Sequence, residues 1–177
     1  MPTPDQQLFV VLDSETTGLD PAKGEEMIEI AAQKVQGREV IGEYVALLKA
    51  TRPIPPEAER VHGISQAMLD AEGRPAKDVM PELVEFIGDA IIVAHNTPFD
   101  MGFINAHLDR LGLPKLTNKT LDTLEIARRT LLLASYKLSN VAAYLKVPQP
   151  SAHRALIDVI TCREVFFKLV ERAQGKK

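Results

Sequence analysis

Leu8-Phe9-Val10-Val11-Leu12-Asp13-Ser14-Glu15-Thr16-Thr17-Gly18 is the stretch that decides the fold. Its first five residues are all apolar and read as a buried strand, expected over residues 7–13. Strands project residues i and i+2 to the same side, so Asp13 and Glu15 leave the strand end together, roughly 6.5–7 Å apart. Two carboxylates at that spacing suit a pair of hard divalent cations, which sit about 3.5–4 Å apart in two-metal hydrolytic sites.

Outward from this strand, Met27 to Val35 and Val40 to Ala50 read as two more. Only Gln36-Gly37-Arg38-Glu39 separates them, so they form an antiparallel hairpin. Arg52-Pro53-Ile54-Pro55-Pro56 breaks regular structure, and short helices are expected through Leu69. Asp78 to Ile87 carries Val79, Leu83, Phe86 and Ile87 at helical spacing. Ala90 to Ala94 is a short apolar strand. Asn96-Thr97-Pro98 then sets a capping residue just before a first-turn proline, opening a helix that runs through Leu111 and stops at Gly112. Thr120 to Thr123 reads as a brief strand. A final helix, from about Arg154 to Arg172, turns Leu156, Val159, Ile160, Phe166, Phe167 and Val170 inward. A strand meander followed by strands alternating with helices gives an α/β layered fold with a mixed sheet. With neither repeat nor linker in 177 residues, a single domain is expected over 1–177, with 1–6 and 174–177 as flexible ends.

Composition narrows the function classes. Every apolar run is far shorter than the 18 or so residues of a membrane span, so no membrane is involved. Met1 to Gln7 lacks the basic segment and apolar core of a signal peptide. Cys162 is the sole cysteine and has no internal partner, which makes a reducing cytoplasm the expected compartment. A net charge of −3, from 21 basic and 24 acidic residues, argues against a broad phosphate-binding surface. Two divalent cations would add +4 and bring the total to +1, with positive charge placed at the acidic cluster.

Two later segments extend that cluster. In Val93-Ala94-His95-Asn96-Thr97-Pro98-Phe99-Asp100, Asp100 falls in the first turn of its helix, where backbone N–H groups and the dipole favour negative charge. A carboxylate there can simply stabilise a helix start. The preceding strand, however, delivers it to the same sheet edge as Asp13, which favours a functional role. In His153-Arg154-Ala155-Leu156-Ile157-Asp158, a continuous helix would set His153 and Asp158 about 140° apart. His153 is therefore placed in the loop after Pro148-Gln149-Pro150, and Asp158 on the helix. A loop histidine with an ordinary pKa of about 6.5 suits a general base, with a plain surface histidine as the alternative. Asp158 is flanked by Ile157, Val159 and Ile160, and a carboxylate buried there needs a partner such as a cation. Four carboxylates and a histidine read as a metal-dependent phosphodiesterase.

Asp13 with Glu15, then Asp100, then His153 with Asp158 resemble the three motifs of the DEDDh 3′–5′ exonucleases, the family of the proofreading epsilon subunit of bacterial DNA polymerase III. The resemblance runs from Phe9 to about Leu169, with Val61-His62-Gly63-Ile64 and Thr120-Leu121-Asp122-Thr123-Leu124 as intermediate landmarks. It departs at Val159, where the family commonly has alanine. It implies a ribonuclease-H-like three-layer fold, with a mixed five-stranded sheet flanked by helices. It also implies two Mg²⁺ or Mn²⁺ ions held by Asp13, Glu15, Asp100 and Asp158, and His153 as general base for a hydrolysis that releases 5′-mononucleotides. By the same resemblance, Thr16, Thr17 and Leu19 line the site of the terminal nucleotide, and Asn96 and Phe99 contact the next.

Other roles stay open. His62 is either a substrate contact or structural, and Phe99 is either a contact or core packing. Lys119, Arg128, Arg129, Lys137 and Arg154 are candidate phosphate contacts. Leu8 and Phe9 are needed inside the first strand, which sets aside a sliding-clamp peptide in Gln6-Gln7-Leu8-Phe9, and Cys162 reads as core. No tryptophan and 5% aromatic residues leave no extended stacking platform, so the grip falls on a few terminal nucleotides. The expected substrate is DNA, as single strands or frayed 3′ ends, in proofreading or end trimming. An RNA-processing exoribonuclease of the same fold is the alternative, and Glu15-Thr16-Thr17-Gly18 favours the proofreading branch. A non-catalytic nucleic-acid-binding domain is a third reading. Only Gln174-Gly175-Lys176-Lys177 follow the last helix, so a DNA polymerase partner would be engaged loosely, or the chain is a domain of a larger protein.

Overall fold

Five strands, β1 (Leu8–Thr16), β2 (Met27–Gln36), β3 (Glu39–Leu47), β4 (Ile91–Ala94) and β5 (Thr120–Asp122), form one sheet in the order β3-β2-β1-β4-β5. They belong to a computed structural model that describes residues 7–149 and 154–175. The hairpin β2–β3 and the pair β1–β2 are antiparallel, whereas β1–β4 and β4–β5 run parallel. The sheet is therefore mixed, as the meander followed by alternation implies. The β2–β3 turn passes through Gly37 at φ +61°, a backbone state that costs glycine little.

β1 lies in the middle because both its faces are apolar. Alternation sends Val10 and Leu12 to one layer and Val11 to the other. The first layer is built by α3 (Ala76–Ile87) and α4 (Thr97–Arg110), whose Val79, Leu83, Ile87, Phe103, Ile104 and Leu108 pack on Val10, Leu12, Ile30 and Ile92. The second is built by α7 (Ala155–Ala173), whose Ala155, Val159, Cys162 and Phe166 pack on Val11, Ala31, Val35 and Val93. Behind α7 lie α5 (Thr123–Thr130) and α6 (Leu138–Tyr144), joined to it through Ala127, Val141, Val165 and Leu169. The short helix α2 (Gln66–Glu72), and Ile64 in the link to it from α1 (Pro56–His62), cover Ile28 and Leu47, with Leu69 as the helical contact. Among the described residues no helix is long and apolar enough to cross a membrane.

Several boundaries and orientations differ from expectation. β1 runs to Thr16 rather than residue 13, because Ser14, Glu15 and Thr16 stay paired with Ile30, Glu29 and Met27 of β2. On its other side β4 pairs only with Phe9, Val10 and Val11, so the polar end of β1 has one open flank. β3 stops at Leu47, and Leu48 instead bridges Arg74. Asn96 does occupy the N-cap position of α4, but at φ 74° its side chain makes no capping bond; capping geometry needs an extended backbone there. Ile160 is 36% exposed rather than inward, since the buried stripe of α7 follows Ala155, Val159, Cys162 and Phe166.

Candidate active site

The open flank of β1 is where both helical layers deliver carboxylates. Asp13 and Glu15 share the α7 face of the strand, and Asp158 reaches them from the first turn of α7. One carboxylate oxygen from each of Asp13, Glu15 and Asp158 can be chosen so that all three lie within 4.8 Å of one another. Asp100 comes from the opposite layer, in the first turn of α4, where it is 2% exposed. It accepts a hydrogen bond from Ser14 Oγ at 2.7 Å.

Crowding of like charges marks the electrostatics. Desolvation, then the charges of Asp100, Asp158, Glu15 and Glu29, hold the Asp13 carboxyl well above the usual range. Desolvation, then Asp158, Glu29 and Asp100, push Glu15 up to about 7, with Arg154 opposing. Burial raises Asp100 to about 7 against the lowering influence of the Ser14 hydroxyl. Such a set of hard oxygen donors fits a divalent cation, which would relieve the repulsion that the protein alone leaves in place. Asp158 is half-buried rather than fully enclosed by its isoleucine neighbours, because its side of α7 opens onto the site. His153 lies outside the described residues.

Beside the carboxylates a pocket is lined by Glu15, Thr16, Thr17, Leu19, Val61, His62 and Phe99, among others. It thus gathers five of the six residues expected to touch substrate, while Asn96 is exposed and not among its walls. Leu19 (86% exposed) and Val61 (63% exposed) give it an apolar rim, available to a planar base. The threonine hydroxyls are engaged elsewhere. Thr16 Oγ1 donates to the Gly18 carbonyl at 2.6 Å. Thr17 Oγ1 donates to Glu25 Oε2 at 2.6 Å and accepts from the Glu26 N–H at 2.9 Å. Both therefore shape the turn. Gly18 is part of that arrangement, since a Cβ there would sit 2.5 Å from Glu25 Cδ.

Phe99 packs on Phe103, with ring centroids 5.0 Å apart and planes tilted by 53°, and it also lines the pocket. His62 is 3% exposed, and its Nδ1 accepts from the Ile64 N–H at 3.0 Å. Burial lowers its pKa, so the ring is neutral near pH 7 and carries its proton on Nε2, which has no partner among the described residues.

The basic candidates separate. Arg154 is bound to buried Glu29, and Arg129 pairs with Glu125. Arg128 and Lys137 line a second depression with His95 and Tyr136. Glu29 and Ser14 were missed as site-shaping residues. The signal for Glu29 was present, as one acid inside the apolar run Met27-Ile28-Glu29-Ile30-Ala31-Ala32.

The fold thus sets a carboxylate cluster at the end of the central strand of a mixed five-stranded sheet. A family model described as Exonuclease matches residues 10–166, and the chain belongs to that family. The DNA polymerase III subunit epsilon of Aquifex aeolicus is 36% identical over 165 residues, covering 92% of this chain and 80% of that protein. The PolC-type DNA polymerase III of Thermotoga maritima is 40% identical over 163 residues, 92% of this chain, yet the chain spans only 12% of that relative's length. Among solved structures, E. coli exonuclease I in complex with a dT13 oligonucleotide superposes with a TM-score of 0.86 at 21% identity, over 97% of this chain and 42% of that one. That likeness is one of fold, and it agrees with the three-layer arrangement expected from the sequence.

Proposed function

We propose that this chain is a 3′–5′ exonuclease that releases 5′-mononucleotides from DNA, acting on single strands or frayed 3′ ends. The observation that carries this is the convergence of Asp13, Glu15 and Asp158 within 4.8 Å, next to a pocket sized for a terminal nucleotide. Asp13, Glu15, Asp100 and Asp158 would hold two Mg²⁺ or Mn²⁺ ions, whose charge would offset that of the scissile phosphate and of the departing 3′-oxygen. Leu19 and Val61 would pack on the terminal base, Phe99 would contact the next nucleotide, and His62 would form part of the pocket wall. Ser14, by donating to Asp100 Oδ1, fixes the orientation of that carboxylate. His153 would take the proton of the attacking water.

The Aquifex relative is named as a polymerase subunit. A DNA polymerase is accordingly the partner class we propose, with the cytoplasm as the compartment.

The test is cleavage of 5′-labelled single-stranded DNA and matched RNA with Mg²⁺, Mn²⁺ or EDTA, wild type beside Asp158→Ala. A metal-dependent ladder shortening from the 3′ end, faster on DNA and lost in the variant, is expected. Equal loss of RNA would move the substrate to the RNA branch. No cleavage of either polymer by folded, metal-supplied protein would end the nuclease reading.

A further inference from the structure

Glu29 stands directly across the β1–β2 ladder from Glu15, so it is a fifth carboxylate on the same face as the cluster. It is 1% exposed, and both its oxygens are occupied. Oε1 accepts from Arg154 Nε at 3.1 Å and from Nη2 at 2.5 Å. Oε2 accepts from Arg154 Nε at 3.1 Å and from the Ala155 backbone N–H at 3.0 Å. That engagement also completes a helix end. The first N–H groups of a helix lack partners within it, and Arg154 at the N-cap of α7 makes no side-chain capping bond. The cap comes instead from a strand residue 126 positions earlier.

We propose that Glu29 and Arg154 act as a positioning pair for the reaction, locking the first turn of α7 so that Asp158 is held over Asp13 and Glu15. The inference rests on the nuclease reading above. Asp158 lies one turn past this anchor, and its own N–H bonds the Arg154 carbonyl at 3.2 Å. Neither Glu29 nor Arg154 touches substrate in this scheme. A shift of about 1 Å at a catalytic group costs roughly 100-fold in rate, which sets the scale.

The experiment compares wild type, Glu29→Gln, Arg154→Gln, Arg154→Lys and the double variant Glu29→Gln/Arg154→Gln. Steady-state kinetics use short 5′-labelled single-stranded DNA with Mg²⁺. Amide hydrogen exchange is followed at Ala155 to Asp158 in metal-free protein without DNA. Each Gln variant is expected to lower kcat about 100-fold with KM changed less than about threefold. The double variant should be no worse than the poorer single, and Arg154→Lys should recover part of the loss. Exchange at Ala155 should quicken in Glu29→Gln. If a Gln variant does not fold, Arg154→Lys carries the same kinetic and exchange readouts. A raised KM in Arg154→Gln alongside near-normal Glu29→Gln would make Arg154 a phosphate contact and overturn the proposal. So would unchanged exchange at Ala155. Wild type that cleaves no DNA removes the nuclease reading, whereas the exchange result reports on the anchor without substrate or metal.

Discussion

Glu15→Gln is the substitution whose consequences the electrostatics define most sharply. In the folded protein the Glu15 carboxyl is pushed from its ordinary 4.5 to about 7, chiefly by desolvation and then by Asp158, Glu29 and Asp100. A folded-state value above the unfolded one means that the folded protein binds the proton more tightly. Stability in the absence of metal is therefore greatest at low pH, and it falls as pH rises from about 4.5 to about 7. At roughly 1.4 kcal/mol per tenfold change in proton affinity, the ionised side chain costs about 3 kcal/mol at pH 8. Partial solvent screening trims this to about 2–3 kcal/mol. Glutamine removes the charge and keeps the shape. In EDTA at pH 8, Glu15→Gln should thus be more stable than wild type by that amount, or by about 5–10 °C in Tm for a domain of this size. At pH 5 the gap should shrink below about 1 kcal/mol, because the wild-type carboxyl is then protonated in the folded state. Adding Mg²⁺ should reverse the order by stabilising wild type more than the variant, while the variant loses nuclease activity by several orders of magnitude. Thermal and urea unfolding at the two pH values measure this directly. A variant that is equally or less stable at pH 8, with a difference that does not change with pH, would refute the reasoning.

Three further outcomes are expected. Leu19→Ala, at an 86% exposed position on the pocket rim, should change stability by less than about 0.5 kcal/mol yet raise KM for single-stranded DNA about tenfold; unchanged KM would remove Leu19 from the substrate site. Phe103→Ala, which empties a core position that also supports Phe99, should destabilise by about 3–5 kcal/mol in chemical denaturation, and a smaller loss would mean that α4 repacks. Cys162 is buried and its thiol is pushed up by desolvation, so a thiol reagent should label it only as fast as the protein unfolds; rapid labelling under native conditions would contradict that packing.

The sheet and its layers were legible because they depend on local pattern. The run Leu8 to Leu12 marks a strand buried on both sides, the four-residue break at Gln36 to Glu39 forces a hairpin, and Val79, Leu83 and Ile87 keep helical period. The motif acids Asp13, Glu15, Asp100 and Asp158 stand out for the same reason, as carboxylates at element ends rather than on solvated faces. What pattern could not decide is what each element meets. The length of β1 depends on β2 staying paired beyond the point where β4 ends, and the outward turn of Ile160 depends on which face of α7 the sheet accepts. Thr16 and Thr17 are donors in sequence, and only the closure of Glu25 across Gly18 shows their hydroxyls to be engaged. Arg154 has the composition of a phosphate contact, but tertiary structure places beside it a buried acid from 125 residues earlier. Propensity and periodicity act over one or two turns of chain. Charge pairing, desolvation and capping act through space, so they were settled only when the end of β1, the start of α4 and the start of α7 came together.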